Sequence, residues 1–351
     1  ATKFHFTGFL RGDDVQKMFL YSDVYVMPSV SEPFGISPLE AMRAGVPTII
    51  SKQSGVAEVL KHSIKVDYWD VDALADAIYG LLSYPGLGKM AGEEGLEEVN
   101  QLKWENAGIW YKADYTGYEG RAEYMISHLL IKSTLKPEEF VRYDLEEIKY
   151  KRQVYQGVKS RTFLSEDWQI ITLERLFQKM YGNSLNQMLW QMDDAQQRLR
   201  FLEEQVERMT GLRGFGIYLN KLLTIDAIFL NEDRHTHNIA VLMNGAGMFK
   251  YCPIFDNGGG LLSDTTLDYP LGEDIFDLIK EVQAKTVSSD FDEQLDASER
   301  LYGCNLKFFF TKRDADKLVK QATGYSDEVK ERVQTLLHRQ IDKYAYLIHT
   351  S

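Results

Sequence analysis

Two carboxylates and an amide stand where phosphoryl transfer would need them. Asp233 and Asn238 lie five residues apart in Leu230-Asn-Glu-Asp-Arg-His-Thr-His-Asn238, and Asp256 follows in Tyr251-Cys-Pro-Ile-Phe-Asp-Asn-Gly-Gly-Gly260. Phosphoryl transfer asks little covalent chemistry of a protein. It needs a carboxylate to orient the attacking hydroxyl, a metal across the phosphates, and cations against the developing charge. Asp233, on a loop after an apolar helix, suits the first role. Asn238 and Asp256 offer the hard oxygen ligands that Mg²⁺ prefers. The same residues admit plainer readings, because Asp and Asn are common turn formers that bond their own backbone. His235 and His237 beside Asp233 raise the idea of zinc, but no third soft ligand stands nearby in the sequence.

A second constellation lies in Pro28-Ser-Val-Ser-Glu-Pro-Phe-Gly-Ile-Ser-Pro-Leu-Glu-Ala-Met-Arg-Ala-Gly-Val-Pro47, where Glu32 and Glu40 are eight residues apart across a loop that enters a helix. Gly35 would let backbone N–H groups approach a diphosphate, which the helix dipole favours, and a first-turn carboxylate could accept ribose hydroxyls. The plainer reading is a folded α/β module in which both glutamates are catalytically idle.

The elements that must hold these residues fall into two grammars. Residues 1–107 alternate strand and helix: strands at Lys3–Thr7, Asp23–Met27 and Gly45–Ile50, and helices at Asp13–Tyr21, Pro38–Arg43, Gly55–Leu60, Asp70–Leu82 and Leu87–Asn106. That order predicts a parallel sheet with ligands at the carboxyl ends of its strands. From residue 108 a strand at Gly108–Lys112, a turn at Thr116–Gly120 and a helix at Arg121–Ser133 precede a mostly helical run. Its helices are expected at Ser165–Tyr181, Asp193–Met209, Phe215–Leu230, Glu273–Ala284, Lys312–Thr323 and Asp327–Ile348. A hairpin, Asn238–Met243 with Met248–Phe255, interrupts them around Asn244-Gly-Ala-Gly247. Glu203, Glu204 and Glu207 read as a solvated helix face.

Composition narrows the classes. The 351 residues are 44% hydrophobic with a formal charge of −12, and the pI is about 5.2. An ordinary core is within reach, whereas a sequence-independent grip on nucleic acid needs a surplus of Lys and Arg. Cys252 and Cys304 form no CxxC pair, so neither a disulfide framework nor a zinc cluster is expected. No apolar run is long enough to span a membrane and no leader opens the chain, which suggests the cytoplasm and no membrane partner. A first segment that already alternates like a strand looks like a fragment or a fusion. The oligomeric state is not legible.

Residues 109–350 resemble HipA-like serine/threonine kinases, most closely the CtkA-like branch. The matching segments are Trp110-Tyr-Lys-Ala-Asp114, Tyr118-Glu-Gly-Arg-Ala-Glu-Tyr124, the Asp233–Asn238 loop, Pro253-Ile-Phe-Asp-Asn-Gly258 and Leu261-Leu-Ser-Asp-Thr-Thr266. The resemblance implies ATP and Mg²⁺ as cofactors and a serine or threonine of a protein as acceptor, often with autophosphorylation. Asp233 would be the base, Asn238 and Asp256 the metal ligands, Lys112 the phosphate contact and Glu123 its partner. Lys112 and Glu123 could also be an ordinary surface ion pair. Residues 3–107, through Leu102-Lys-Trp-Glu-Asn-Ala107, resemble the donor-binding half of family-four-type GT-B glycosyltransferases with their E-x7-E pattern. That resemblance implies a nucleotide-sugar, with Glu32 and Gly35 near the sugar and pyrophosphate and Glu40 on the ribose. The acceptor domain and the Arg/Lys pair that such enzymes carry upstream have no counterpart here.

The expected fold class is therefore a Rossmann-like α/β half-module of the GT-B C-terminal type, followed by an α+β kinase-like domain with a mostly helical C-terminal lobe. The expected domains are residues 1–107, an incomplete nucleotide-sugar module, and 108–351, a kinase domain whose strands before Lys112 are missing. No Pro/Gly/Ser tether separates the two, so a recombined or joined gene product is expected. Three functions stay open: protein kinase, non-catalytic nucleotide-binding chimera, and nucleotide-sugar-dependent transferase.

Overall fold

The computed structural model describes residues 5–349 apart from 9, 11–12, 30–36, 102–107, 115, 151–152 and 166. Its contacts divide the chain into two compact units, Ala1–Ala107 and Gly108–Ser351.

The first unit runs α1 (Asp13–Leu20), β1 (Tyr25–Met27), α2 (Ser37–Arg43), β2 (Thr48–Ser51), α3 (Val56–Val59), β3 (Ile64–Val66), α4 (Val71–Ser83) and α5 (Pro85–Gln101). The strands form a parallel sheet in the order β1-β2-β3, with Tyr25 opposite Thr48 and Ile49 opposite Ile64. Side chains alternate across a strand, so neighbouring isoleucines of β2 feed different cores. Ile50 packs with Met27, Met42, Val56 and Leu60, while Ile49 packs with Val66 and Leu81 and against Leu74, Ala77 and Ile78 of α4. A sheet covered on both faces is what parallel strands require. Asp70 starts α4 by accepting the Ala73 amide at 3.0 Å. The strand expected at Lys3–Thr7 is not formed by residues 5–8, and its first two residues lie outside the described ones.

The second unit opens with β4 (Ile109–Ala113), α6 (Glu119–Leu130), a 3-10 turn at Pro137–Glu139, β5 (Tyr143–Tyr150) and β6 (Gln153–Arg161). These strands make an antiparallel sheet in the order β4-β6-β5, in which Lys112 lies opposite Val158. Then come β7 (Trp168–Thr172), α7 (Leu173–Tyr181), α8 (Leu185–Trp190), α9 (Ala195–Thr210), α10 (Phe215–Phe229), β8 (Ala240–Asn244) and β9 (Phe249–Tyr251). β7, β8 and β9 form a second antiparallel sheet. The chain closes with α11 (Ile275–Glu281), α12 (Phe291–Tyr302), α13 (Lys312–Gln321) and α14 (Asp327–Lys343). The expected fold class is met: a Rossmann-like α/β half-module, then an α+β domain with a mostly helical C-terminal part.

Three corrections follow. The stretch after α6, expected to be mostly helical, carries two strands, at 143–150 and 153–161, that join β4 in a sheet around Lys112. Their alternation was obscured by charge: Glu146, Glu147, Lys149 and Lys159 decorate the strands, and Lys159 bridges to Glu146 at 2.7 Å. The helix expected at Ser165–Tyr181 is strand over Trp168–Thr172, and the Thr172 side chain then caps α7 through the Arg175 amide at 3.3 Å. Glu203 and Glu207 are not merely a solvated face. They accept the backbone amides of Gly216 (3.1 Å) and Gly214 (2.7 Å) and so cap the start of α10.

α10 is largely apolar and buried over most of its surface, with Ile217 on its exposed side. Phe215, Leu219, Leu222, Leu223, Ile225, Ile228 and Phe229 join the large core, and Asn220 binds Ser298 of α12 at 3.0 Å. Leu223→Ala should therefore cost about 2–5 kcal/mol, read as a lowered urea midpoint for the transition of the second unit with an unchanged slope.

Candidate functional site

Lys112 sits near the end of β4 and Glu123 one turn into α6. The ammonium lies 3.2 Å from Glu123 Oε1 and 2.6 Å from Asp256 Oδ1. Glu123 is fully buried, and its other oxygen accepts the Asn257 amide at 3.0 Å. A buried carboxylate with a second backbone donor is no ordinary surface pair, so that reading is set aside. Burial disfavours the lysine charge, but Glu123 and Asp256 outweigh it and hold the pKa above its ordinary value. Burial alone would raise Asp256, yet Lys112, and further off Arg234, hold its carboxyl below the usual range.

Asp256 has a left-handed backbone, φ 57°, which costs a non-glycine residue energy and marks a constrained turn. The glycines after it have a steric reason. A Cβ on Gly258 would stand 2.9 Å from the Lys112 ammonium, and one on Gly259 would stand 2.8 Å from the Asp233 Cβ. The backbone after Asp256 thus lies directly against both Lys112 and Asp233. Gly117 meets the same condition on the other side, where a Cβ would fall 2.0 Å from the Ser263 carbonyl oxygen. Tyr118 completes that contact, its amide reaching the Ser263 carbonyl at 3.0 Å and its hydroxyl the Leu261 carbonyl at 2.6 Å.

Asp233 is exposed at the end of a buried scaffold. The Asn238 amide nitrogen donates to the Asp233 carbonyl at 2.8 Å and to its carboxylate at 3.0 Å. Arg234, next in sequence, points the other way and is 1% exposed. Its guanidinium pairs with the fully buried Asp226 of α10 at 3.2 Å and donates to the Phe255 carbonyl at 2.7 Å and to Asn257 Oδ1 at 2.6 Å. Asn231 also binds Asp226, at 2.9 Å. One buried ion pair therefore fixes the 231–238 loop and the 255–257 segment relative to each other. Thr236 anchors the loop a second time, on Glu174 of α7 at 2.7 Å. Sequence reasoning passed over Asp226, Arg234 and Glu174. The signal available was a charged residue inside the apolar run of α10, which only a buried partner makes tolerable.

The site has the donor chemistry for a hard cation. Asn238 and Asp256 carry side-chain oxygens of the kind a hard cation prefers, and Asp256 faces the Lys112 ammonium. The amide ends Asn231 Oδ1 and Asn257 Nδ2 and the ring Nδ1 of His235 are buried without a protein partner, so polar capacity remains for a ligand or water. Among the described residues no group of three His, Cys, Asp or Glu side chains is placed to hold a metal ion.

In the first unit, Glu40 lies exposed in the first turn of α2, while Glu32 and Gly35 lie outside the described residues. A small recess lies at the carboxyl ends of the strands, lined by Met27 at the end of β1 and Pro28 after it, Ser51 at the end of β2, Val66 at the end of β3 with Asp67 and Tyr68 after it, and the apolar Ile49, Ile50 and Leu74. Lys52 and Gln53 both bind Asp67 at 2.9 Å, and the Lys52 hydrogen bond lowers the Asp67 pKa. Ligands of open α/β sheets bind at this edge.

Fold and site together define a Rossmann-like half-module and an α+β domain that carries an ion-paired cluster. Residues 1–98 match the family model for glycosyl transferases group 1. Over 106 residues the chain is 36% identical to an uncharacterized glycosyltransferase of Methanocaldococcus jannaschii, a match covering 29% of this chain and 27% of that protein. It is 30% identical over 108 residues to the sulfoquinovosyl transferase SQD2 of Arabidopsis thaliana, covering 29% and 21%. The O-antigen chain mannosyltransferase B of Escherichia coli is 31% identical over 102 residues, covering 29% and 27%. The chain thus spans about a quarter of the length of these curated relatives. Among solved structures it is similar to the Helicobacter pylori proinflammatory kinase CtkA, with a TM-score of 0.46 and 17% identity, covering 68% of this chain and 88% of that one.

Breaking the Asp226–Arg234 pair from one side should cost about 3–5 kcal/mol, because a lone buried charge is left. Arg234→Met with Asp226→Leu together should cost less than the sum of the two single changes. A double-mutant cycle in urea measures that coupling, and simple additivity would show that the pair does not hold the loops.

Proposed function

We propose that the second unit transfers the γ-phosphoryl group of ATP to a serine or threonine hydroxyl of a protein, its own chain included. The observation that carries this reading is the convergence of Lys112, Glu123 and Asp256 within one ion-paired cluster, beside an exposed Asp233 that Asn238 holds in place. Lys112 would meet the phosphate oxygens, with Glu123 keeping its ammonium in position. Asn238 and Asp256 would hold Mg²⁺, which when bound offsets the charge of the phosphates. Asp233 would orient the acceptor hydroxyl and take its proton as the oxygen bonds to the γ-phosphorus and the bond to the leaving ADP breaks. Arg234 and Thr236 would keep that carboxylate in place while its side chain stays open to the acceptor.

Transfer from labelled ATP tests the reading. Asp233→Ala should lower the rate by about 10²–10⁴, the usual contribution of a positioned base, and Asp256→Ala should abolish Mg-ATP stabilisation of the fold. Unchanged transfer in Asp233→Ala would remove that residue from the mechanism.

A second reading belongs to the first unit. The family match over residues 1–98 supports binding of a nucleotide-sugar, with Glu40 on the ribose and Glu32 and Gly35 near the diphosphate. Sugar transfer would require an acceptor-binding partner surface in addition. UDP- or GDP-sugar at about 100 times its Kd should stabilise the unit by about 2.7 kcal/mol, a shift in melting that Glu40→Ala removes. No shift with either donor class would leave the module as a scaffold.

A further inference from the structure

Asp114 follows the strand that carries Lys112 and stands before the helix that carries Glu123. Its carboxylate is shared between two donors. Oδ1 accepts the Gly120 amide at 2.5 Å, in the first turn of α6, and Oδ2 accepts the Tyr325 hydroxyl at 2.8 Å, from the turn between α13 and α14. Asp114 is itself tied to β6, its amide donating to the Gln156 carbonyl at 2.8 Å. The same corner turn is held twice more. The Arg121 guanidinium lies 5.4 Å from the centre of the Tyr325 ring and donates to the Val319 carbonyl at 3.1 Å. Gly324, with φ +87°, comes so near β6 that a Cβ there would lie 2.2 Å from Gln156 Oε1.

The spacing gives this contact a consequence. Gly120 is one helical turn before Glu123, so whatever fixes the Gly120 amide fixes the register of Glu123 against Lys112. Close packing at the junction leaves little slack: a Cβ on Gly120 would lie 2.7 Å from Asp114 Oδ1, and one on Gly157 would lie 2.3 Å from the Lys112 carbonyl.

We propose that Asp114 is a positioning residue, latched by Tyr325, that holds β4 and the first turn of α6 in the register in which Glu123 pairs with Lys112. The value of that register for phosphoryl transfer rests on the kinase reading; the latch itself does not. The latch also responds to protons. Burial pushes the Asp114 carboxyl up to about 6, against the hydrogen bonds from Tyr325 and Gly120. Of the charged groups that face it, Glu119 of α6 raises it further and Lys112 of β4 lowers it, while β6 presents Gln156, which does not titrate. Protonation weakens an acceptor that serves two donors, so the latch loosens as the pH falls through about 6.

Acetylation of Lys112 by acetic anhydride, followed by mass spectrometry on the full chain, tests this without any need for turnover. Lys89 of α5, 75% exposed, is the internal reference. Tyr325→Phe keeps the ring beneath Arg121 and removes only the hydroxyl. It should speed Lys112 labelling relative to Lys89 by about tenfold, the lower end of the effect of one lost hydrogen bond to a charged acceptor, toward the rate in Glu123→Gln. In the unaltered chain the ratio should rise on the acid side of about pH 6, and in Asp114→Asn that rise should vanish. Wild-type ratios in Tyr325→Phe, or an acid rise that persists in Asp114→Asn, would overturn the proposal. If Asp114→Asn fails to fold, hydrogen exchange of the Gly120 amide in Tyr325→Phe decides: faster exchange supports the latch and unchanged exchange refutes it. A working latch in a chain that transfers no phosphate from ATP would discard the kinase reading alone.

Discussion

The second unit depends on one ion pair removed from water. Asp226 lies on the largely buried α10, and its charge is tolerable only because Arg234 and Asn231 satisfy it there. Arg234 in turn spends its remaining donors on the Phe255 carbonyl and the Asn257 side chain. Two loops far apart in sequence are thereby referred to a single rigid helix. The exposed chemistry of Asp233 and Asp256 is the outer surface of this buried arrangement.

Around that pivot the constraints are steric as much as electrostatic. Gly117, Gly258 and Gly259 stand where backbone must touch backbone or a charged side chain, and each would clash if it carried a Cβ. Asp256 adopts a left-handed conformation that the chain would not choose in isolation. Such strain persists only where surrounding contacts over-determine it, and here the Lys112 ammonium and the Arg234 network supply those contacts. Lys112 is positioned from the other direction, by an edge strand and by a helix whose first turn is tied to Asp114. The ion-paired cluster is therefore a meeting of independently braced parts.

The first unit follows simpler rules. Its strands are short, parallel and apolar on both faces, so helices must cover them, and the polar groups collect at the carboxyl edge. Ser51, Asp67 and Tyr68 line that edge although no spacing in the sequence singled them out. Residues 1–98 match the glycosyl transferases group 1 model, and the E-x7-E pattern of the sequence lies within them.

Much of the architecture was legible because it rests on local periodicity. The alternation of apolar strand and helix gave the parallel sheet. The long apolar helix at 215–229 and the Asn244–Gly247 turn were equally plain, since caps, turns and hydrophobic stripes are written in neighbouring residues. The strands at 143–161 were not, because charged side chains on their solvent face break the apolar signal, and the sheet becomes visible only when Lys112 and Val158 are paired. Asp233, Asn238, Lys112, Glu123 and Asp256 could be nominated by residue type and spacing. What the sequence alone determined was therefore the chemistry on offer and the two grammars of the chain. Only the tertiary structure decided that Arg234 turns inward, that Glu123 is buried and that Lys112 reaches Asp256. Those outcomes depend on which distant backbones come close enough to exclude water, and no local pattern encodes that.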